Sequence, residues 1–259
     1  MGLAVMGDAV SDHCRELERC NQRGGRMLSV FDLLEAGTLD LGLASYLTAR
    51  ISRGASFMVG AVPGGAGKTT VMCALLNLVP PDVRLVAATP QVVQSAGAGS
   101  SGDARCCYVC HEIGSGSYFA YLWGEDLRRY CRLCENGDML ATNLHADTIG
   151  QAVDQVCGDN DVPPEHFRRF HLLIFLAVER DRWNYRRRIG VVHDTNGVEP
   201  HRSVWLRDGD FARGMNQDSE YVDAAWLAAC REFLQAGRDA RIRTIEQTRE
   251  RVLAFLARS

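Results

Sequence analysis

The chain has no excess of basic residues, no membrane-length apolar run and no internal repeat. Its 29 Lys and Arg are outnumbered by 32 Asp and Glu, for a formal charge of −3. That balance gives no electrostatic footprint for nucleic acid and none for an anionic membrane surface. The longest apolar run, HLLIFLAV at 171–178, falls far short of the roughly 20 residues that span a bilayer. The N-terminal MGLAVMGDAVSDHCRELERC lacks the basic start and apolar stretch of a secretory leader. The expectation is a cytoplasmic protein without a transmembrane segment or direct nucleic-acid partner, peripheral at a membrane only through other proteins.

Cysteine is not scarce: there are ten. With no leader and a length that needs no disulfide staples, they are expected as reduced thiols, several of them acting as small core hydrophobes. Cys107 and Cys110, with Cys131 and Cys134 further on, come near the spacing of a structural zinc site. Residues 105–113 nevertheless read as a buried strand, which sends 107 and 110 to opposite faces, and Cys131 and Cys134 read as a helix face. Zinc is therefore not the expected reading.

A 46% hydrophobic composition over 259 residues can fill one large α/β domain or two small ones. A polar segment, 1–27, reads as a short helix and a loose connection through NQRGGR. Helical spacing runs over 29–54, with Leu41, Leu43, Tyr46 and Leu47 near one face. ASFMVGAV (55–62) reads as a buried strand, and TTVMCALLNLV (69–79) as a helix that stops before Pro80. Strands follow at 83–89, 105–113 and 138–145. Helices are expected at 117–136 and 147–157, with Asp147 as the N-cap of the second. QSAGAGSSGDA (94–104) reads as a loop. Residues 171–180 and 187–194 read as a strand pair around the turn DRWNYR. Two helices close the chain, the last of them amphipathic and most simply a packing helix. Strands alternating with helices predict a mostly parallel sheet with crossover helices.

Between the first buried strand and its helix lies VPGGAGKTT (62–70). It matches the phosphate-loop pattern G-x-x-x-x-G-K-[ST] except for Val62 in place of the first glycine. Small residues let the backbone N–H groups of Gly64, Gly65, Ala66 and Gly67 approach a phosphate. Lys68 supplies a charge for the β and γ phosphates, Thr69 a hydroxyl for Mg²⁺, and Thr70 completes the set. Val62 is tolerable provided its φ is negative, with Pro63 and Gly64 taking up the bend.

From about residue 29 to about 212 the chain resembles the secretion-superfamily ATPases, the motors of type II and type IV secretion, type IV pili and archaeal flagella. Four pieces carry the resemblance in order. FDLLEAGTLDLGLASYLTARISRGASFMVGAVPGGAGKTTVMCALLNLVPPDVRLV resembles the family's approach to its phosphate loop. CYVCHEI resembles its Walker B strand, ending in Glu112. GDMLATNLHAD resembles its histidine box, with His145. VPPEHFRRFHLLIFLAVERDRWNYRRRIGVVHD resembles the hairpin that follows. The resemblance implies a RecA-like P-loop NTPase over 28–215 with C-terminal helices over 216–259, ATP and Mg²⁺ as cofactors, and Glu112 polarising water and helping to hold Mg²⁺. It further implies His145 sensing the γ-phosphate, and a homo-oligomer, a hexamer in the family, or assembly with a membrane-complex protein.

The departures weigh against efficient turnover. The family's acidic box corresponds here to VAATPQVV, where Ala87, Ala88 and Gln91 carry no acid. The run after Glu112 is EIGSGS, without the family's arginine and further acids. The family's own N-terminal domain has no counterpart in residues 1–27. Positioning and electrostatics make up most of phosphoryl-transfer catalysis, so the expected activity is slow or partner-dependent ATP hydrolysis. A non-hydrolysing, nucleotide-dependent regulatory or assembly subunit is the alternative, and a small-molecule kinase using the same loop is a third. Arg186, Arg187 and Arg188 read as a solvated turn and strand start, with contact to a neighbouring subunit's phosphate as the other reading.

Overall fold

Strand β1 (Phe57–Gly60) is apolar on both faces and fully buried, which is the pattern of a central strand in a sheet covered on both sides. The structure, a computed structural model, describes residues 3–20, 25–62, 64–96, 105–181, 184–208, 211–213 and 220–258. Pro63, residues 97–104 of the glycine- and serine-rich stretch, residues 21–24 of NQRGGR and residues 182–183 of the charged turn lie outside them.

Three helices precede β1: α1 (Leu3–Arg19), α2 (Val30–Glu35) and α3 (Leu41–Ile51). Helix α4 (Lys68–Leu76) follows it, then β2 (Arg84–Ala87), α5 (Pro90–Ala96) and β3 (Cys106–Cys110). A two-stranded ribbon, β4 (Glu112–Ile113) and β5 (Tyr121–Leu122), comes next, then α6 (Gly124–Arg132), β6 (Met139–Leu144), α7 (Ile149–Val153) and α8 (Pro164–Arg168). Strands β7 (Leu172–Asp181), β8 (Asn184–Asp194), β9 (Arg202–Asp208) and β10 (Phe211–Arg213) precede the closing helices α9 (Ala224–Asp239) and α10 (Ile245–Leu256).

The fold is α/β, a mostly parallel central sheet flanked by helices. Its strand order is β10-β9-β8-β7-β1-β6-β3-β2. The five strands from β2 to β7 pair in parallel, and β8, β9 and β10 extend the sheet antiparallel. Side chains alternate between two cores, as a period of two requires. Phe57, Val59, Cys107, Met139 and Ile174 face the core that holds α1 to α4 and α10, whereas Met58, Cys110, Leu140 and Phe175 face the core under α6 to α8. Cys107 and Cys110 therefore lie on opposite sides of the sheet.

The structure differs from the sequence expectation in several places. Residues 117–123 are not helical: β5 precedes α6, and Gly124, at φ 58, opens the helix. Helix α5 forms where the sequence suggested the run into a loop. The edge strands β9 and β10 went unpredicted, because their alternation is broken by charges. The N-terminal segment forms a 17-residue helix. Its stripe Val10, Cys14, Leu17 enters the core at helical spacing, diluted in sequence by the acids around it. The closing helices pack directly on the nucleus of the fold. Trp226 of α9 donates to Ala49 O at 3.2 Å. Arg249 of α10 donates to Asn77 O, Val79 O and Pro80 O, just beyond the C-terminus of α4, where a cation offsets the helix dipole.

Candidate functional site

The loop from Ala61 to Gly67 leaves the C-terminal end of β1 at the middle of the sheet. Gly60 ends the strand because nothing larger fits: a Cβ there would meet Ala146 O at 2.4 Å and the Phe175 ring at 2.7 Å. That close approach brings the end of β6, and with it His145, against the loop. A Cβ on Gly64 would lie 3.8 Å from the imidazole Cε1 of His145. Gly65 and Gly67 have φ 87 and 97, a region that favours glycine. Gly67 is the N-cap of α4, and Lys68 is its first residue. Val62 is 48% exposed and is not among the non-glycine residues of positive φ, which among the described residues are Ala120, Asp161 and Arg241. The valine therefore sits in ordinary backbone.

Lys68 and Glu112 are both buried, at 7% and 6% exposure. Lys68 Nζ lies 3.3 Å from Glu112 Oε1 and 3.4 Å from His145 Nδ1, and His145 Nε2 lies 3.8 Å from Glu112 Oε1. Strand β3 stops at Cys110, and the ribbon then turns Glu112 under the loop: His111 N–H donates to Ala120 O at 2.9 Å. Burial raises the Glu112 carboxyl, opposed by the charges of Lys68 and His145. Glu112 Oε1 makes ion-pair distances but no aligned hydrogen bond. It is a buried acceptor with spare capacity.

Asn143 was not anticipated. Buried in β6, it donates through Nδ2 to His111 O at 2.8 Å and to Thr69 Oγ1 at 3.5 Å, and its Oδ1 has no hydrogen-bond partner. It ties the phosphate loop to the end of β3. A signal was present, since Thr142 and Asn143 interrupt an apolar strand and both are fully buried. Asp147 does not cap α7. Thr148 does, accepting from Gln151 N–H at 3.3 Å, while the Asp147 N–H donates to Gln151 Oε1.

These residues line a cleft of ≈ 630 Å³, within the usual range for small-molecule sites. It contains Gly64 to Thr70, Glu112 and His145 together. Ala87, Ala88 and Gln91 are not among its lining residues. Four basic side chains, Arg26, Lys68, Arg186 and Arg187, face it against one carboxylate, Glu112. Arg187 belongs to the same chain as the loop and lies over it, since a Cβ on Gly67 would meet Arg187 Cδ at 3.2 Å. Arg188 turns away and pairs with Glu179 at 3.6 Å. A cationic, glycine-lined cleft at a helix N-terminus suits a polyphosphate. Thr69 Oγ1 and Glu112 Oε1, which is ion-paired with Lys68 but makes no aligned hydrogen bond, are hard oxygen donors of the kind Mg²⁺ takes, so the residues present fit that ion. No helix among the described residues is long and apolar enough to cross a membrane.

No protein-family profile matches the chain, and no curated protein matches it. Among solved structures it is similar to the VirB11 ATPase of the Brucella suis type IV secretion system, crystallised with sulphate, at 17% identity and a TM-score of 0.45, over 70% of this chain and 63% of that one. It is also similar to the Legionella pneumophila ATPase DotB, at 11% identity and a TM-score of 0.36, over 68% of this chain and 50% of that one. The chain thus spans less than two thirds of either neighbour. At these values the likeness assigns no activity.

Proposed function

We propose that the cleft binds ATP with Mg²⁺ and that the chain is a RecA-like P-loop ATPase related to the secretion and pilus motors, with slow or partner-dependent hydrolysis. The observation that carries this reading is the convergence of Lys68, Glu112 and His145 beneath a glycine loop that caps a helix. Backbone N–H groups of Gly64 to Lys68 bind phosphate oxygens. Lys68 exchanges its ion pair with Glu112 for the β and γ phosphates. Thr69 and Glu112 would hold Mg²⁺, which when bound neutralises charge on the transferring phosphoryl group. Glu112, freed from Lys68, orients a water and accepts its proton. His145 donates to a γ-phosphate oxygen from the end of β6, and Asn143 fixes the Thr69 hydroxyl. Assembly into a homo-oligomer, and recruitment to a membrane complex from the cytoplasm, extend the proposal on the strength of the sequence resemblance.

ATP binding and turnover are measured side by side on one sample, for the wild type, Lys68→Ala and Glu112→Gln. Lys68→Ala is expected to weaken binding at least about 100-fold, roughly 2.7 kcal/mol. Glu112→Gln is expected to retain binding and lose turnover. Binding with no turnover in the wild type selects the non-hydrolysing regulatory subunit, which the carboxylate-free run VAATPQ, and the absence of any further acid in IGSGS after Glu112, favour. A folded wild type that binds no nucleotide overturns both.

A further inference from the structure

Strand β8 carries three successive arginines, and the alternation of a strand splits them. Ile189 of β8 is buried in the core that holds α4. Arg187, two residues earlier, shares that face and so reaches the start of α4. A Cβ on Gly67, the N-cap of α4, would lie 3.2 Å from Arg187 Cδ and 4.0 Å from its Nε. Arg188, on the opposite face, pairs with Glu179 at 3.6 Å. The stretch is held on both sides. Val178 of β7 lies opposite Arg187 in the ladder, and Ile189 N–H donates to Thr38 O, in the wall of the cleft, at 2.9 Å. The arginine over the phosphate loop therefore stands on a fixed strand of the same chain.

Neighbouring cations are committed to carboxylates. Lys68 lies 3.3 Å from Glu112, and Arg26 gives Asp32 two hydrogen bonds, at 2.6 and 3.1 Å. Among the described residues no carboxylate pairs with Arg187, which lines the cleft and is exposed. A guanidinium in that position has its planar fork of donors open to a ligand, and the fork matches the oxygens of a phosphate.

We propose that Arg187 binds the polyphosphate in cis, so that one chain closes its own phosphate site without an arginine from a neighbouring subunit. This rests on the nucleotide reading above and adds a residue to it. The backbone N–H groups of the glycine loop and the N-terminus of α4 hold the phosphates from one side. Arg187 covers them from the hairpin on the other. Completion of the site then does not require assembly, and any oligomer the chain forms serves another purpose.

The test is the affinity for a fluorescent ATP analogue with Mg²⁺. It is measured for the wild type, Arg187→Ala, Arg187→Lys and an equimolar mixture of Arg187→Ala with Lys68→Ala chains. Each sample is read over a roughly 100-fold range of chain concentration, where mass action would expose a site completed by a partner. Arg187→Ala is expected to bind about tenfold more weakly, some 1.4 kcal/mol. Arg187→Lys is expected to fall between it and the wild type, because a point charge keeps the attraction and loses the fork. The mixture is expected to bind no more tightly than Arg187→Ala alone, and the wild-type affinity to be independent of chain concentration. In the mixture, an arginine acting in trans would come from the Lys68→Ala chains and serve the intact loops of the others. A class of sites with wild-type affinity in the mixture therefore overturns the proposal. So does a wild-type affinity that tightens with chain concentration, or an Arg187→Ala variant that binds like the wild type. Those three outcomes leave the nucleotide reading standing, whereas a folded wild type that binds no nucleotide overturns both.

Discussion

Two buried ion clusters sit at opposite ends of the sheet's central strands, and they are built to different standards. At the end where β7 begins, Asp194 receives Arg50 Nε and Nη2 at 2.7 and 2.8 Å, the Tyr46 hydroxyl at 2.6 Å and Thr195 N–H at 2.7 Å. Both its oxygens are used. At the end where β1 stops, Glu112 has Lys68 at 3.3 Å and His145 at 3.8 Å, and Oε1 has no aligned hydrogen bond. Burial raises both carboxyls, so both clusters bear a desolvation cost. The first opposes it with four aligned hydrogen bonds, whereas Oε1 of the second has none. The saturated cluster is a fastening between α3 and β8, whereas the loose one holds capacity for atoms the chain does not itself provide. Removing one member of a satisfied buried pair typically costs about 3–5 kcal/mol. Asp194→Ala is therefore expected to lose about that much stability in urea unfolding, and Glu112→Gln to lose less, because it breaks no aligned hydrogen bond. Equal losses would break the comparison, because the Glu112 cluster would then be a fastening too.

The next effect separates neighbouring arginines. Arg187 lies over Gly67, while Arg188 is held by Glu179, which also pairs with Arg207 at 3.5 Å. Arg187→Ala is expected to weaken ATP binding about tenfold, some 1.4 kcal/mol, with an unchanged urea midpoint, and to weaken the salt dependence of binding. Arg188→Ala is expected to leave affinity within about twofold. Calorimetric titration at two salt concentrations checks both. The reverse ranking would mean that the hairpin meets the phosphates from its other face.

Much of this was readable beforehand where pattern and physics coincide. The buried run ASFMVG, the glycine loop and the helix after it follow from residue type alone, although the helix starts at Lys68, one residue before the expected Thr69. Glu112 and His145 came from the resemblance, and the structure brings both to the loop. The sequence did not reveal the reason they meet, which is the close approach at Gly60 and the ribbon that turns Glu112 under Lys68. Both are long-range packing events with no local signature. SYFAYLW was misread as helix because its aromatics suit either state, and the strained Ala120, at φ 54, belongs to the turn that makes the ribbon. Asn143 and the Arg50–Asp194 fastening were missed because single polar residues in apolar elements carry no period.

The smallest expected effect sharpens the comparison from the saturated end. His171 opens that end of β7 and accepts the Ser56 N–H through Nδ1 at 3.2 Å, so its ring is held neutral. Burial lowers it from 6.5 to about 4, helped by the nearby charges of Arg50 and Arg169. As pH falls below 6.5 the unfolded chain takes up this proton and the folded chain refuses it until about 4. Stability is therefore lost across that window and regained as pH rises. His171→Asn keeps an acceptor near the Nδ1 position and removes the titration. It is expected to shrink the stability lost between pH 7 and pH 6 by somewhat under about 1 kcal/mol, read from urea midpoints at the two pH values. An unchanged pH dependence would mean that protonation of His171 is accommodated, and that the Arg50 charge does not reach across the strand edge. The same substitution should leave nucleotide affinity untouched, because the two ends of the strands share no side chain.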